Sequence, residues 1–133
     1  MFTNSMNFDL GEDVNAVREM VHAFAQERIK PLAEQADKTN EFPNELWKEF
    51  GELGLLGVTT SEEYGGSDMS YLAHVVIVEE IARASASISL SYGAHSNLCV
   101  NQIRRNATEE QKQKYLPGIV AGKELWCQGY SEP

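Results

Sequence analysis

Glu79 and Glu80 stand side by side with Arg83 following, and Arg104 and Arg105 are adjacent. His95 lies in a run of small and polar residues, Tyr92-Gly93-Ala94-His95-Ser96-Asn97. These are the residue types on which chemistry could rest. A carboxylate pair can act as general acid or base. On a helix, however, Glu79 falls one turn before Arg83, and an ion pair at that spacing is the commoner arrangement. The arginine pair suits a phosphate or the negative end of a helix equally well. His22, His74 and His95 are scattered, and neither HExxH nor CxxC occurs, so no metal centre is indicated. No serine sits in a GxSxG elbow. Gly65-Gly66 lacks the Lys and Ser/Thr of a phosphate loop and reads as a tight turn that uses positive φ. The small residues around His95 would let a helix or a ligand approach closely, and packing is the commoner cause.

The elements that must position these groups are helical. Val14, Val17, Val21, Phe24, Ala25, Ile29 and Leu32 recur at spacings of three and four, which places them on one face of a first helix. Pro31 should kink or restart it, and it should end near Asp37. A turn at 41–44 leads into a short helix, with Pro43 in its first turn and Leu46, Trp47, Phe50 and Leu53 inward. Gly51, Gly54 and Gly57 end that helix, and 55–68 reads as a loop. Ser70 is a suitable N-cap for a helix over 71 to about 86. That helix is apolar on nearly every side, which predicts a place at the centre of a bundle. A further helix covers 87 to about 105. Thr108-Glu109-Glu110-Gln111 fits a capping box that opens a helix at Glu109, limited or kinked by Pro117 and stopped at Gly122. The expected fold class is all-α, a bundle of about five to six helices without a sheet.

Composition narrows the function. The chain has 133 residues, enough for one domain with its own core. Eleven basic residues against twenty acidic ones give a formal charge of −9, which disfavours nucleic acid and anionic membranes as partners. The longest aliphatic run, Val75-Val76-Ile77-Val78, is far short of the roughly 20 residues of a membrane span. Cys99 and Cys127 read as two reduced thiols. The first basic residue is Arg18, after Asp9, Glu12 and Asp13, which is unlike a secretory or mitochondrial leader.

The succession of segments is itself informative. Phe24-Ala25 and Ile29-Lys30-Pro31-Leu32-Ala33 precede Phe42-Pro43 and Gly51-Glu52-Leu53-Gly54-Leu55-Leu56-Gly57. Glu63-Tyr64-Gly65-Gly66, Glu79-Glu80-Ile81-Ala82-Arg83, Gln111 to Pro117, Gly122 and Ser131-Glu132-Pro133 follow. This order resembles the N-terminal helical domain of flavin-dependent acyl-CoA dehydrogenases over nearly the whole chain. The resemblance implies that 1–133 is the N-terminal α-domain, with 125–133 starting the link to a β-domain. It implies FAD as cofactor, an acyl-CoA substrate, an electron-transfer flavoprotein as partner and a homotetrameric full-length enzyme. The location would be the bacterial cytoplasm or the mitochondrial matrix.

Leu90 to Cys99 resembles the branch of that family acting on isovaleryl-CoA. By that resemblance Leu90, Ala94 and Leu98 face the acyl chain, and the small Ala94 leaves room for a branched group. Residues 124–133 are more similar to other branches. Gln128, Tyr130 and Ser131 would contact the isoalloxazine, with the Ser131 hydroxyl as donor. The family's catalytic glutamate lies in the later domains, so no catalytic residue is assigned and the fragment alone should be inactive. A non-catalytic helical interaction module derived from the same domain is the competing expectation. A metal-carboxylate bundle would need Glu-x-x-His on paired helices, and no such pair is present.

Overall fold

The computed structural model describes residues 9–129 and 131. Five helices follow one another: α1 (12–39), α2 (Glu45–Glu52), α3 (Tyr71–Ala84), α4 (86–106) and α5 (Glu109–Val120), and no strand occurs among the described residues. The all-α expectation holds.

The first helix absorbs its proline. α1 is α-helical over Glu12–Phe24, widens to a π turn at Ala25–Ile29 and returns to α-helix over Lys30–Thr39. Pro31 has no N–H to give and its ring crowds the carbonyl four residues back. The wide turn lies just upstream of it, so the helix neither breaks nor restarts. It runs to Thr39 and closes where Asn40 takes φ 55°. Val21, Ala25 and Ile29 are fully buried along its inner face.

α2 buries Leu46 and Phe50 completely. Two expectations need correction. Leu53 lies beyond the helix, just before the turn at Gly54 with φ 71°, and is 40% exposed rather than inward. Pro43 precedes the cap residue Asn44 instead of occupying the first turn, and its carbonyl accepts from the Leu46 N–H at 3.0 Å.

The 55–68 loop is folded into the protein over its first half. Two 3-10 turns, Leu55–Gly57 and Glu62–Tyr64, carry Leu55, Leu56, Val58 and Thr60 into the interior. Within the Gly65-Gly66 pair, only Gly65 uses positive φ, at 85°. Gly66 is needed for close approach: a Cβ there would lie 1.9 Å from the Thr60 carbonyl oxygen.

α1 packs along α3, and α3 along α4. Val76, Ile77 and Ile81 of α3 meet Phe50 of α2 and Ile88 and Tyr92 of α4 in one core. A second cluster joins Tyr64 and Val100 to Leu116, Ile119 and Val120 of α5. α3 is not the fully enclosed helix its composition predicts. One side is buried, while Tyr71, Leu72 and Val75 are 44–49% exposed. Ser85 alone separates α3 from α4, and its Oγ accepts from the Ile88 N–H at 3.4 Å to cap α4. α4 carries a second π segment, Ala94–Asn101, between Ala86–Gly93 and Gln102–Asn106. The capping box forms as read: Thr108 Oγ1 accepts from the Gln111 N–H at 3.3 Å, and Gln111 Oε1 accepts from the Thr108 N–H at 2.9 Å. Pro117 does not stop α5, which continues to Val120 and ends at Gly122 with φ 68°.

Candidate functional site

An apolar groove of about 450 Å³ runs between α3 and α4. Tyr71, Val75 and Val78 line it from α3, and Leu90, Ala94 and Leu98 from α4. The three α4 residues are those expected to face an acyl chain, and the fold brings all three to one cleft. The local cause is spacing. Ile88, Ser89 and Tyr92 turn into the protein, so residues four apart beginning at Leu90 stand on the opposite side. Leu90 is the most open of them at 76% exposed, and the wide turn that begins at Ala94 carries the wall onward.

Sequence reasoning missed His74, which also lines the groove. Its ring lies near-parallel to Tyr71 on one hand (5.6 Å between centroids, 23°) and to Tyr92 on the other (5.8 Å, 18°). Ser96 Oγ donates to the Tyr92 carbonyl at 2.9 Å, so it accepts from His74 Nε2–H at 2.8 Å. Burial lowers the His74 pKa from its ordinary 6.5, which keeps the ring neutral at pH 7. Tyr92 in turn donates its hydroxyl to the Leu55 carbonyl at 2.6 Å, and burial pushes that phenol up.

The small-residue patch divides. Gly93, Ala94 and Asn97 border the groove, whereas His95 and Ser96 are buried and hydrogen-bonded inside the protein. His95 Nε2 meets the Ile119 carbonyl at 3.0 Å, and its Nδ1 accepts from the Trp126 N–H at 3.2 Å. Gln128 donates its side-chain amide to the Leu98 carbonyl. The link thereby runs beside the wall that carries Ala94 and Leu98. Ser131 is exposed, and Tyr130 lies outside the described residues.

The remaining candidates are structural. Glu80, not Glu79, is the paired carboxylate. It shares the inner face with Val76 and Ile77, is 1% exposed, and holds Arg83 Nη1 at 3.1 Å and His22 Nδ1 at 2.9 Å. A carboxylate at that depth requires such partners. Arg104 and Arg105 occupy the last turn of α4, with Arg104 Nε donating to Asn101 Oδ1 at 3.2 Å. Cys99 and Cys127 are both free thiols, and burial raises the pKa of the former. Among the described residues no group of three or more His, Cys, Asp and Glu could hold a metal, and no helix is long and apolar enough to cross a membrane.

A helical bundle with an apolar interhelical groove, followed by a link pinned to the groove wall, matches one known domain. Residues 11–123 fit the family model for the acyl-CoA dehydrogenase N-terminal domain, and the chain belongs to that family. It is similar to mitochondrial isovaleryl-CoA dehydrogenase of Solanum tuberosum, with 51% identity over 134 residues covering 99% of this chain and 32% of the relative. The corresponding protein of Pongo abelii is 49% identical over 126 residues, covering 93% of this chain and 30% of the relative. An acyl-CoA dehydrogenase complexed with FAD from Bacillus anthracis superposes with a TM-score of 0.82 at 32% identity, covering 91% of this chain and 21% of that one. The chain spans about a third of the length of the curated relatives it matches.

Proposed function

We propose that this chain supplies the N-terminal wall of a flavin-dependent acyl-CoA dehydrogenase acting on a short branched acyl-CoA such as isovaleryl-CoA. The observation that carries the reading is the cleft between α3 and α4. Leu90, Ala94 and Leu98 stand on one side of it and Tyr71, Val75 and Val78 on the other. Apolar walls desolvate an alkyl chain, and the missing bulk at Ala94 suits a branch. Selectivity for one methylene in such a pocket is worth only about 1–3 kcal/mol, which suits a preference among short acyl groups rather than an absolute choice.

The link offers complementary groups to a flavin. The Gln128 amide is committed to Leu98, which leaves its carbonyl oxygen as an acceptor, and the exposed Ser131 hydroxyl is a donor. An acceptor and a donor match the alternating imide edge of the isoalloxazine; Tyr130, which the resemblance also brings to the ring, lies outside the described residues. When bound, FAD supplies the hydride acceptor for oxidation of the thioester. Among the described residues the groove lining contains no carboxylate, and the resemblance assigns removal of the substrate's α-proton to a glutamate of the family's later domains. The whole enzyme is proposed to be a homotetramer that passes electrons to an electron-transfer flavoprotein, in the mitochondrial matrix or a bacterial cytoplasm.

The test uses methyl NMR on the chain titrated with isovaleryl-CoA, with coenzyme A as control. Resonances of Leu90, Ala94 and Leu98 are expected to shift with the thioester only. No shift at any of the three, or equal shifts with coenzyme A, overturns the reading. The same preparation should be colourless and reduce no dye.

A further inference from the structure

His95 is 2% exposed, yet it carries two polar atoms into the interior. Both are satisfied by main chain from two other parts of the protein: Nε2 by the Ile119 carbonyl of α5, and Nδ1 by the Trp126 N–H of the link. A carbonyl only accepts and an amide only donates. The two partners therefore select the tautomer with its proton on Nε2 and a bare acceptor at Nδ1. Trp47 of α2 closes over it edge-on, with centroids 5.4 Å apart at 62°. A leucine would fill such a space without any need for partners, so packing alone does not account for an imidazole here.

Trp126 lies outside any helix, and its N–H has no helical carbonyl to meet. Two residues further on, Gln128 reaches Leu98 from an exposed position. Among the described residues the link is thus tied to α4 at two places, and the His95 tie is the more buried of the two. We propose that His95 is the positioning residue that fixes the link against α4, and so sets where Gln128 and Ser131 stand relative to its neighbour Ala94 on the groove. The role assigned to those residues rests on the function proposed above; the fastening itself does not.

Two conservative variants separate the two bonds. The Asn carbonyl oxygen can occupy the place of Nδ1, and the Gln amide nitrogen the place of Nε2. His95→Asn keeps the bond to Trp126 and loses the one to Ile119, and His95→Gln does the reverse. Amide hydrogen exchange on the 133-residue chain should show the Trp126 N–H exchanging at least tenfold faster in H95Q and less than threefold faster in H95N. Urea midpoints of the two variants should fall together. A merely structural histidine predicts instead that Trp126 exchange follows global stability, so equal acceleration in both variants overturns the proposal. If either variant fails to fold, imidazole nitrogen NMR of the unmutated chain decides. A proton on Nε2 with Nδ1 bare supports the fastening, and a proton on Nδ1 refutes it. None of these readouts involves flavin or thioester, so they stand or fall separately from the titration of the groove.

Discussion

The side-chain amide of Gln128 is hydrogen-bonded to the main-chain carbonyl of Leu98, a residue that also lines the apolar groove. One bond thus joins the segment proposed to meet a flavin with the wall proposed to meet an acyl chain. Gln128→Ala should loosen the link without unfolding the bundle. A single exposed hydrogen bond is worth about 1 kcal/mol, so link amides should exchange a few-fold faster while the thermal midpoint stays unchanged. Hydrogen exchange with mass spectrometry of a peptide covering 125–131 measures this.

Ala94 borders the groove and is partly exposed, so its side chain contributes little to folding. Ala94→Leu should leave the urea midpoint within about 0.5 kcal/mol of the parent. The added bulk should weaken isovaleryl-CoA binding by about tenfold, within the range of a one- or two-methylene misfit. The same methyl NMR titration gives the apparent dissociation constant.

Tyr92 and Leu55 meet in the interior, where the phenol donates to a carbonyl. Tyr92→Phe keeps the packing against Phe50, now 5.2 Å between centroids, but leaves that carbonyl without its donor. The cost should be about 1–3 kcal/mol in urea unfolding. A smaller loss would mean that water reaches Leu55.

His74 makes stability depend on pH. Its folded-state pKa is depressed below the ordinary 6.5, because burial disfavours the charged ring. The unfolded chain therefore binds the proton more readily. Stability from this group is fully present above about pH 6.5 and declines as the pH falls through the ordinary value towards the lower folded one. Urea midpoints measured from pH 7.5 down to 5 should fall in the parent chain, and His74→Gln should flatten the slope.

Two glycines should respond in opposite ways. A Cβ at Gly66 would strike the Thr60 backbone, so Gly66→Ala should destabilise by about 1–3 kcal/mol or prevent folding. A Cβ at Gly93 would meet nothing within 4 Å, and this residue is helical. Gly93→Ala should raise stability by about 0.5–1 kcal/mol. Thermal melts of the two variants suffice.

What the sequence discloses is largely what is local. The Thr108 box, the Ser70 cap and the Gly122 stop involve partners within a few residues and could be read directly. Leu90, Ala94 and Leu98 share a wall because helical spacing alone puts them there. The exposure of Tyr71, Leu72 and Val75 could not be read, since apolarity signals burial without naming what covers it. Glu80 was mistaken for its neighbour because its partner His22 arrives from another helix. The partners of His74 and His95 could not be read for the same reason: Ser96, Ile119 and Trp126 are distant in sequence. The first π segment lies just upstream of Pro31, but nothing local announces the second, and no propensity scale marks either.

The single-residue joint at Ser85 has an engineering consequence. Because it links the two helices that face each other across the cleft, residues 70–98 form one contiguous hairpin that contains every groove-lining residue among those described. On the function proposed above, acyl preference would be encoded in an uninterrupted cassette. Transplanting that cassette into a relative with a different chain-length preference would move the preference as a block, with no need to graft scattered positions.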